Sequence, residues 1–167
     1  MTTVAERHQS YPDALIKRIL NSVKTIAMVG ASANWNRPSF FAMKYLQIKG
    51  FRVIPVNPRE AGKEILGEKV YAELKDVPDR IDMVDVFRAS NAVPPIADEA
   101  IRIGAKVLWM QLGVRNEDAA EKAEKAGLTV IMNRCPKIEY GRLYGELGWS
   151  GINTNVISSK RRQVPKR

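Results

Sequence analysis

Three times along this chain a helix-favouring stretch meets a glycine, followed by an apolar, a polar and two branched apolar residues. The junctions are Gly50-Phe51-Arg52-Val53-Ile54, Gly104-Ala105-Lys106-Val107-Leu108 and Gly127-Leu128-Thr129-Val130-Ile131. A glycine there supplies the left-handed residue that ends a helix, so a strand begins at once. The preceding helices are expected at 38–49, 93–103 and 116–126. Pro38, Pro94 and Pro95 are tolerated in a first turn, and Asn116 before Glu117 and Asp118 reads as an N-cap. Strands are expected at 25–29, 51–56, 81–86, 106–110 and 128–132. Their nearly continuous apolar content suits a parallel sheet covered on both faces. Strand and helix alternate, which predicts an α/β protein: a three-layer, doubly wound parallel sheet of about five strands. Residues 11–22 form an additional amphipathic helix with Leu15, Ile16, Ile19 and Leu20 inward. The connection 63–78 carries a turn at Gly67 and a short helix near 72–75.

A length of 167 residues fits one domain. The expected division is an extension at 1–23, a folded domain at 24–147 and a basic, disordered tail at 148–167. No apolar run approaches the roughly 20 residues needed to span a bilayer, and the polar residues 1–13 do not read as a secretory signal. A cytoplasmic protein with no membrane partner is expected. One cysteine and one histidine exclude a disulfide framework, a zinc cluster and a Ser-His-Asp or Cys-His arrangement. No catalytic or metal-binding residue is therefore assigned. The net charge of +9 is uneven: residues 160–167 hold five positive charges and no acid, leaving +4 elsewhere. That end lacks aromatic residues to stack on bases, so a solvated tail is favoured over a nucleic-acid arm.

Polar or glycine-bearing clusters stand directly behind all the expected strands: Gly30-Ala31-Ser32, Asn57-Pro58-Arg59, Phe87-Arg88-Ala89, Gln111-Leu112-Gly113 and Asn133-Arg134-Cys135. Parallel strands would bring them to one carboxyl edge, where open α/β sheets bind ligands. Around the first cluster, a tight glycine turn and a helix start suit a phosphate, with Ser32, Arg37 and Ser39 as further donors. A dinucleotide fingerprint would need glycine where Ser32 and Trp35 stand. Behind the second strand, Arg59 replaces the acid expected for a ribose diol. It suggests a ribose phosphate, with NADP and the 3'-phosphate of coenzyme A (CoA) both open. Phe87, Arg88 and Val93-Pro94-Pro95 offer an apolar wall beside a charge. Gln111 can hydrogen-bond an amide, and Gly113 admits a narrow ligand. Trp109 is expected in the core, and Trp35 in a loop that could cover a ligand.

With these pieces the chain resembles the bacterial and archaeal CoA-binding protein family. Its single Rossmann-like domain is similar to the CoA-binding domain of the succinyl-CoA ligase α subunit. The resemblance spans about 25–143 and rests on Val-Gly-Ala-Ser at 29–32, Val-Ile-Pro-Val-Asn-Pro at 53–58 and Gly67 in Ile-Leu-Gly-Glu. It rests equally on Val-Asp-Val-Phe-Arg at 84–88, Trp-Met-Gln-Leu-Gly at 109–113 and Asn-Arg-Cys-Pro-Lys at 133–137. It implies CoA phosphates at Gly30, Ala31, Ser32, Arg37 and Ser39. Ribose and adenine would lie near Asn57, Pro58, Arg59 and Phe87, and the pantetheine arm would point toward Gln111 and Gly113.

A ligase of that kind also needs a phosphorylatable histidine in a second domain and a nucleotide-grasp partner. This chain offers His8 alone, outside the matched region, and no second domain is expected after Leu143. The favoured reading is non-enzymatic binding of CoA or acyl-CoA. An NADP-dependent oxidoreductase or redox sensor is the alternative, and a nucleic-acid-associated protein using the basic tail comes third. Cys135 is expected to be a buried, inert thiol in preference to a mixed disulfide with CoA. A homo-oligomer formed through an apolar edge helix is compatible with the sequence, which does not designate the patch.

Overall fold

The computed structural model describes residues 1–145, so the basic tail and any nucleic-acid contact it makes lie outside the described residues. The elements run α1 (Val4–Arg7), α2 (Asp13–Ser22), β1 (Thr25–Val29), α3 (Pro38–Ile48), β2 (Arg52–Val56), the hairpin β3 (Glu64–Ile65) and β4 (Glu68–Lys69), then β5 (Met83–Val86). They continue through α4 (Val93–Arg102), β6 (Val107–Met110), α5 (Glu117–Lys125), β7 (Thr129–Ile131) and α6 (Pro136–Leu143).

All three glycine junctions form as expected. Gly50, Gly104 and Gly127 have φ of 98°, 76° and 98°, and each closes the same pair of bonds. At the first, Gly50 N donates to Gln47 O at 3.0 Å and Phe51 N to Leu46 O at 3.1 Å; the others repeat it with Ala105 to Ala100 and Leu128 to Ala123. This is the Schellman motif, and its usual apolar contact is present because both residues of each outer pair are buried. Asn116 caps α5 by accepting from Ala119 N at 2.9 Å.

Five strands make one parallel sheet in the order β2-β1-β5-β6-β7, an α/β Rossmann-like fold. Along β6, Val107 and Trp109 face one layer while Leu108 and Met110 face the other. The first layer packs beneath α2, α3 and α6; the second packs beneath α4 and α5. Trp109 is fully buried, as expected, and its Nε1 donates to Arg134 O at 2.8 Å. The inward stripe of α2 is Ile16, Ile19 and Leu20, with Leu15 at its margin.

Four features depart from expectation. The β3–β4 hairpin is new, closed by Leu66 and Gly67 at φ of 49° and 85°. Positive φ at both positions matches the twist of a two-residue hairpin. The short helix near 72–75 is a 3-10 turn at Leu74–Asp76. The helices α1 and α6 were not foreseen. Third, α1 docks the amino-terminal segment against α5: His8 is 3% exposed, its Nε2 lies 3.0 Å from Glu124 Oε2 and its Nδ1 2.7 Å from Tyr11 Oη. Fourth, α6 opens with Pro136 in its first turn. Among the described residues no helix is long and apolar enough to cross a membrane.

Candidate functional site

Because every pairing in the five-stranded sheet is parallel, the clusters behind its strands share the carboxyl edge. Chain order reverses between β1 and β5, so the loops leaving these two strands part around a crevice. A cleft of about 680 Å³ opens there. Gly30 and Ser32 reach it from the loop after β1, and Arg37, Pro38 and Ser39 from the start of α3. Asn57, Pro58, Arg59 and Glu60 follow β2, and Phe87 and Arg88 follow β5. Gly30 sits at φ 91°. A Cβ placed on it would run into the Phe87 carbonyl and lie 2.9 Å from Arg88 Cδ. Glycine is therefore what allows these two loops to close up at the switch point.

The glycine loop is held largely by the protein itself. Gly30 N donates to Val56 O at 2.8 Å, Ser32 N donates to Ser39 Oγ at 3.2 Å, and Ala33 N donates to the Glu60 carboxylate. Asn57 ties the β1 and β2 loops: its Nδ2 donates to Ala31 O at 2.8 Å and its Oδ1 accepts from Arg59 N at 3.0 Å. The amides of Gly30, Ser32 and Ala33 are thus engaged within the protein. What remains available is cationic. Arg37, Arg59 and Arg88 are exposed and form no ion pair among the described residues, whereas Arg7, Arg52, Arg115 and Arg142 are each paired with an acid. In addition, α3 begins without a side-chain cap; Pro38 has no N–H and Phe40 N donates to Arg37 O at 3.0 Å, which leaves the Ser39 amide at the positive end of the helix. Removing the Asn57 tether should show in a urea titration: Asn57→Ala is expected to lose about 1–2 kcal/mol for its two bonds, and an unshifted midpoint would refute the tether.

A second cavity of about 630 Å³ adjoins the first, sharing Pro38, Phe87 and Arg88. Gln111, Cys135 and the side chains of Phe41, Leu112 and Ile138 line it. Cys135 is 7% exposed, and burial pushes its thiol up, while the Gln111 side chain and amides of α6 act in the opposite direction. An inert thiol fits that environment. Gln111 is buried and its Oε1 has no hydrogen-bond partner.

Of the residues singled out from sequence, Ala31 is buried behind the first cleft, where its carbonyl serves Asn57. Gly113 lines neither cavity. Its amide donates to Asn133 Oδ1 at 2.7 Å, tying the loops after β6 and β7 together. Trp35 stays in an exposed loop. Two acids were missed. Glu60, directly after Arg59, also faces the cleft. Hydrogen bonding to Lys63 Nζ at 2.9 Å, helped by the Ala33 amide, holds its carboxyl below the usual range. Asp85 is fully buried in β5 and neither carboxyl oxygen has a partner. A lone carboxylate among Met83, Val84 and Val86 was the signal for it.

Comparison with known proteins places this geometry among relatives. The CoA binding domain family matches residues 24–141. An uncharacterized protein of Bacillus subtilis, YneT, is 40% identical over 132 residues, covering 79% of this chain and 96% of the relative. The α subunit of acetate–CoA ligase (ADP-forming) I from Pyrococcus furiosus is 33% identical over 122 residues, but that match spans 26% of its length. A solved structure of a hypothetical protein from Pyrococcus horikoshii aligns with a TM-score of 0.76 at 41% identity, covering 80% of this chain and 93% of that one. A match over residues 24–141, well over half of the sequence, makes this chain a member of the CoA-binding domain family.

Proposed function

We propose that the protein is a cytoplasmic, non-enzymatic binding module for CoA or acyl-CoA. The observation that carries this reading is the gathering of three exposed arginines that form no ion pair among the described residues, Arg37, Arg59 and Arg88, around the glycine turn at the switch point. A CoA molecule presents a diphosphate and a separate 3'-phosphate, and guanidinium groups match such oxygens in paired fashion. In this arrangement Arg37, Ser39 and the α3 amino terminus take the diphosphate. Arg59 takes the 3'-phosphate, Phe87 and Pro58 flank the adenosine, and the pantetheine arm runs past Arg88 toward Gln111.

The non-enzymatic part rests on His8. This histidine, the single one in the sequence, is buried against Tyr11 and Glu124 and lines neither cavity. It is held away from any phosphoryl donor bound in the cleft. The NADP alternative keeps one specific support: a ribose 2'-phosphate would suit Arg59 as well as a 3'-phosphate does.

Calorimetry of the full chain with CoA, dephospho-CoA and NADP separates these readings. CoA should bind, and dephospho-CoA should bind about 10- to 100-fold more weakly, the range expected for a charge-assisted contact of about 1.5–3 kcal/mol. Arg59→Ala should reduce CoA to the level of dephospho-CoA. Heat from NADP alone would overturn the proposal. Equal affinity for CoA and dephospho-CoA would remove the Arg59 contact from it.

A further inference from the structure

We infer that the second cavity is an acyl pocket, so that this protein selects CoA thioesters bearing an apolar chain over free CoA; this rests on the reading of the first cleft as a CoA site. The two cavities are neighbours, with Pro38, Phe87 and Arg88 lining both. A ligand anchored by its phosphates in the first therefore sends its arm into the second. Two features there call for different parts of one molecule.

The first is polar. Gln111 lines this cavity, is 7% exposed, and has a buried Oε1 without a hydrogen-bond partner, which a turn of the side-chain amide would present to the cavity. A buried acceptor left open costs free energy until it finds an N–H donor. The pantetheine arm carries amide N–H groups between its phosphates and its sulfur, whereas a thiol or an aliphatic chain carries none. Gln111 thus fixes the arm and sets the depth at which the sulfur emerges.

The second is apolar. Phe41, Leu112 and Ile138 remain 50%, 53% and 40% exposed around the same cavity. Large apolar side chains gathered at a concave site gain by being covered. A free thiol ending at Gln111 leaves them in water, while an acyl chain extending past the sulfur covers them. Cys135, also in this wall, has its thiol held protonated by burial and adds apolar surface there.

The test is a calorimetric series with the full chain and CoA, acetyl-, butanoyl-, hexanoyl- and octanoyl-CoA. Affinity should rise from acetyl- to hexanoyl-CoA by up to about fourfold per methylene, the factor corresponding to full burial of one CH₂, and level off once the cavity is filled. In Phe41→Ser/Ile138→Ser, both of whose positions are partly exposed, the slope against chain length should collapse. A flat or falling series alongside measurable CoA binding overturns the acyl pocket and leaves the CoA site standing. No heat with any member overturns both. A double variant that keeps the wild-type slope also overturns the pocket, since the chain would then be buried elsewhere.

Discussion

Gly30→Ala should be the most damaging single-methyl substitution in the protein. The residue lies at φ 91°, where a side chain costs about 1–3 kcal/mol in backbone strain. The added Cβ also meets the Phe87 carbonyl and comes within 2.9 Å of Arg88 Cδ. Backbone cannot swing aside as a side-chain tip can, so overpacking adds about 1–3 kcal/mol more. The expected total is about 4 kcal/mol, which for a domain of this size lowers the melting temperature by roughly 10 °C. Gly127→Ala is the control. It has φ 98° with nothing within 4 Å of a new Cβ, so it should show the strain alone. If the two variants melt together, the close approach of the β1 and β5 loops is not what requires glycine. Because relief of the collision means parting those loops, Gly30→Ala should also weaken CoA binding at least tenfold, by the misplacement of Arg88 relative to Arg37.

The second large effect has the opposite sign. Asp85 lies in the middle of the sheet between Met28 and Trp109, fully buried and without a partner for either oxygen. Burial raises its pKa well above the ordinary carboxyl value. A raised folded-state value means that the folded protein holds this proton more tightly than the unfolded chain does. Its contribution is most favourable in acid, falls as pH climbs past the unfolded value of about 4, and flattens above the folded value. Asp85→Val should therefore stabilise the protein at pH 7 by about 1–3 kcal/mol, the cost of an unsatisfied buried polar group. The advantage should shrink toward pH 4. Asp85→Asn separates the two causes: it removes the titration and keeps an unpartnered polar group, so its stability should be level across that interval. Thermal melts of the three proteins from pH 4 to pH 8 provide the comparison. A destabilised Asp85→Val at pH 7, with Asp85→Asn as stable as wild type, would show that the carboxyl has a partner that valine cannot replace.

Much of the architecture was legible because its bonds are local. Each glycine junction closes through donors and acceptors three to five residues apart, as Gly50 does to Gln47 and Phe51 to Leu46, so the pattern of glycine and apolar residues contains all its partners. The misses have the same cause in reverse. Strands β3 and β4 are two residues each, too short for periodicity to register, and α1 holds its place through Glu124, more than a hundred positions away in the chain. Of the site, Arg37, Arg59 and Arg88 were visible as cations behind strands. Glu60 was passed over because its approach to Ala33 depends on how the β2 loop folds back across the β1 loop. That Asn133 takes the Gly113 amide was not legible either, because the two residues meet only when the loops after β6 and β7 come together.

From its residues alone the chain determined that it alternates strand and helix, that its strands are covered on both faces, and that its polar clusters fall together at the strands' carboxyl ends. Those properties follow from side-chain periodicity and helix-end chemistry, which act within a few residues. Tertiary structure decided that β1 lies between β2 and β5. That order brings Phe87 and Arg88 against Gly30 and sets the two cavities side by side. Strand order arises from pairing and packing energies spread over the whole sheet, so no local segment carries it.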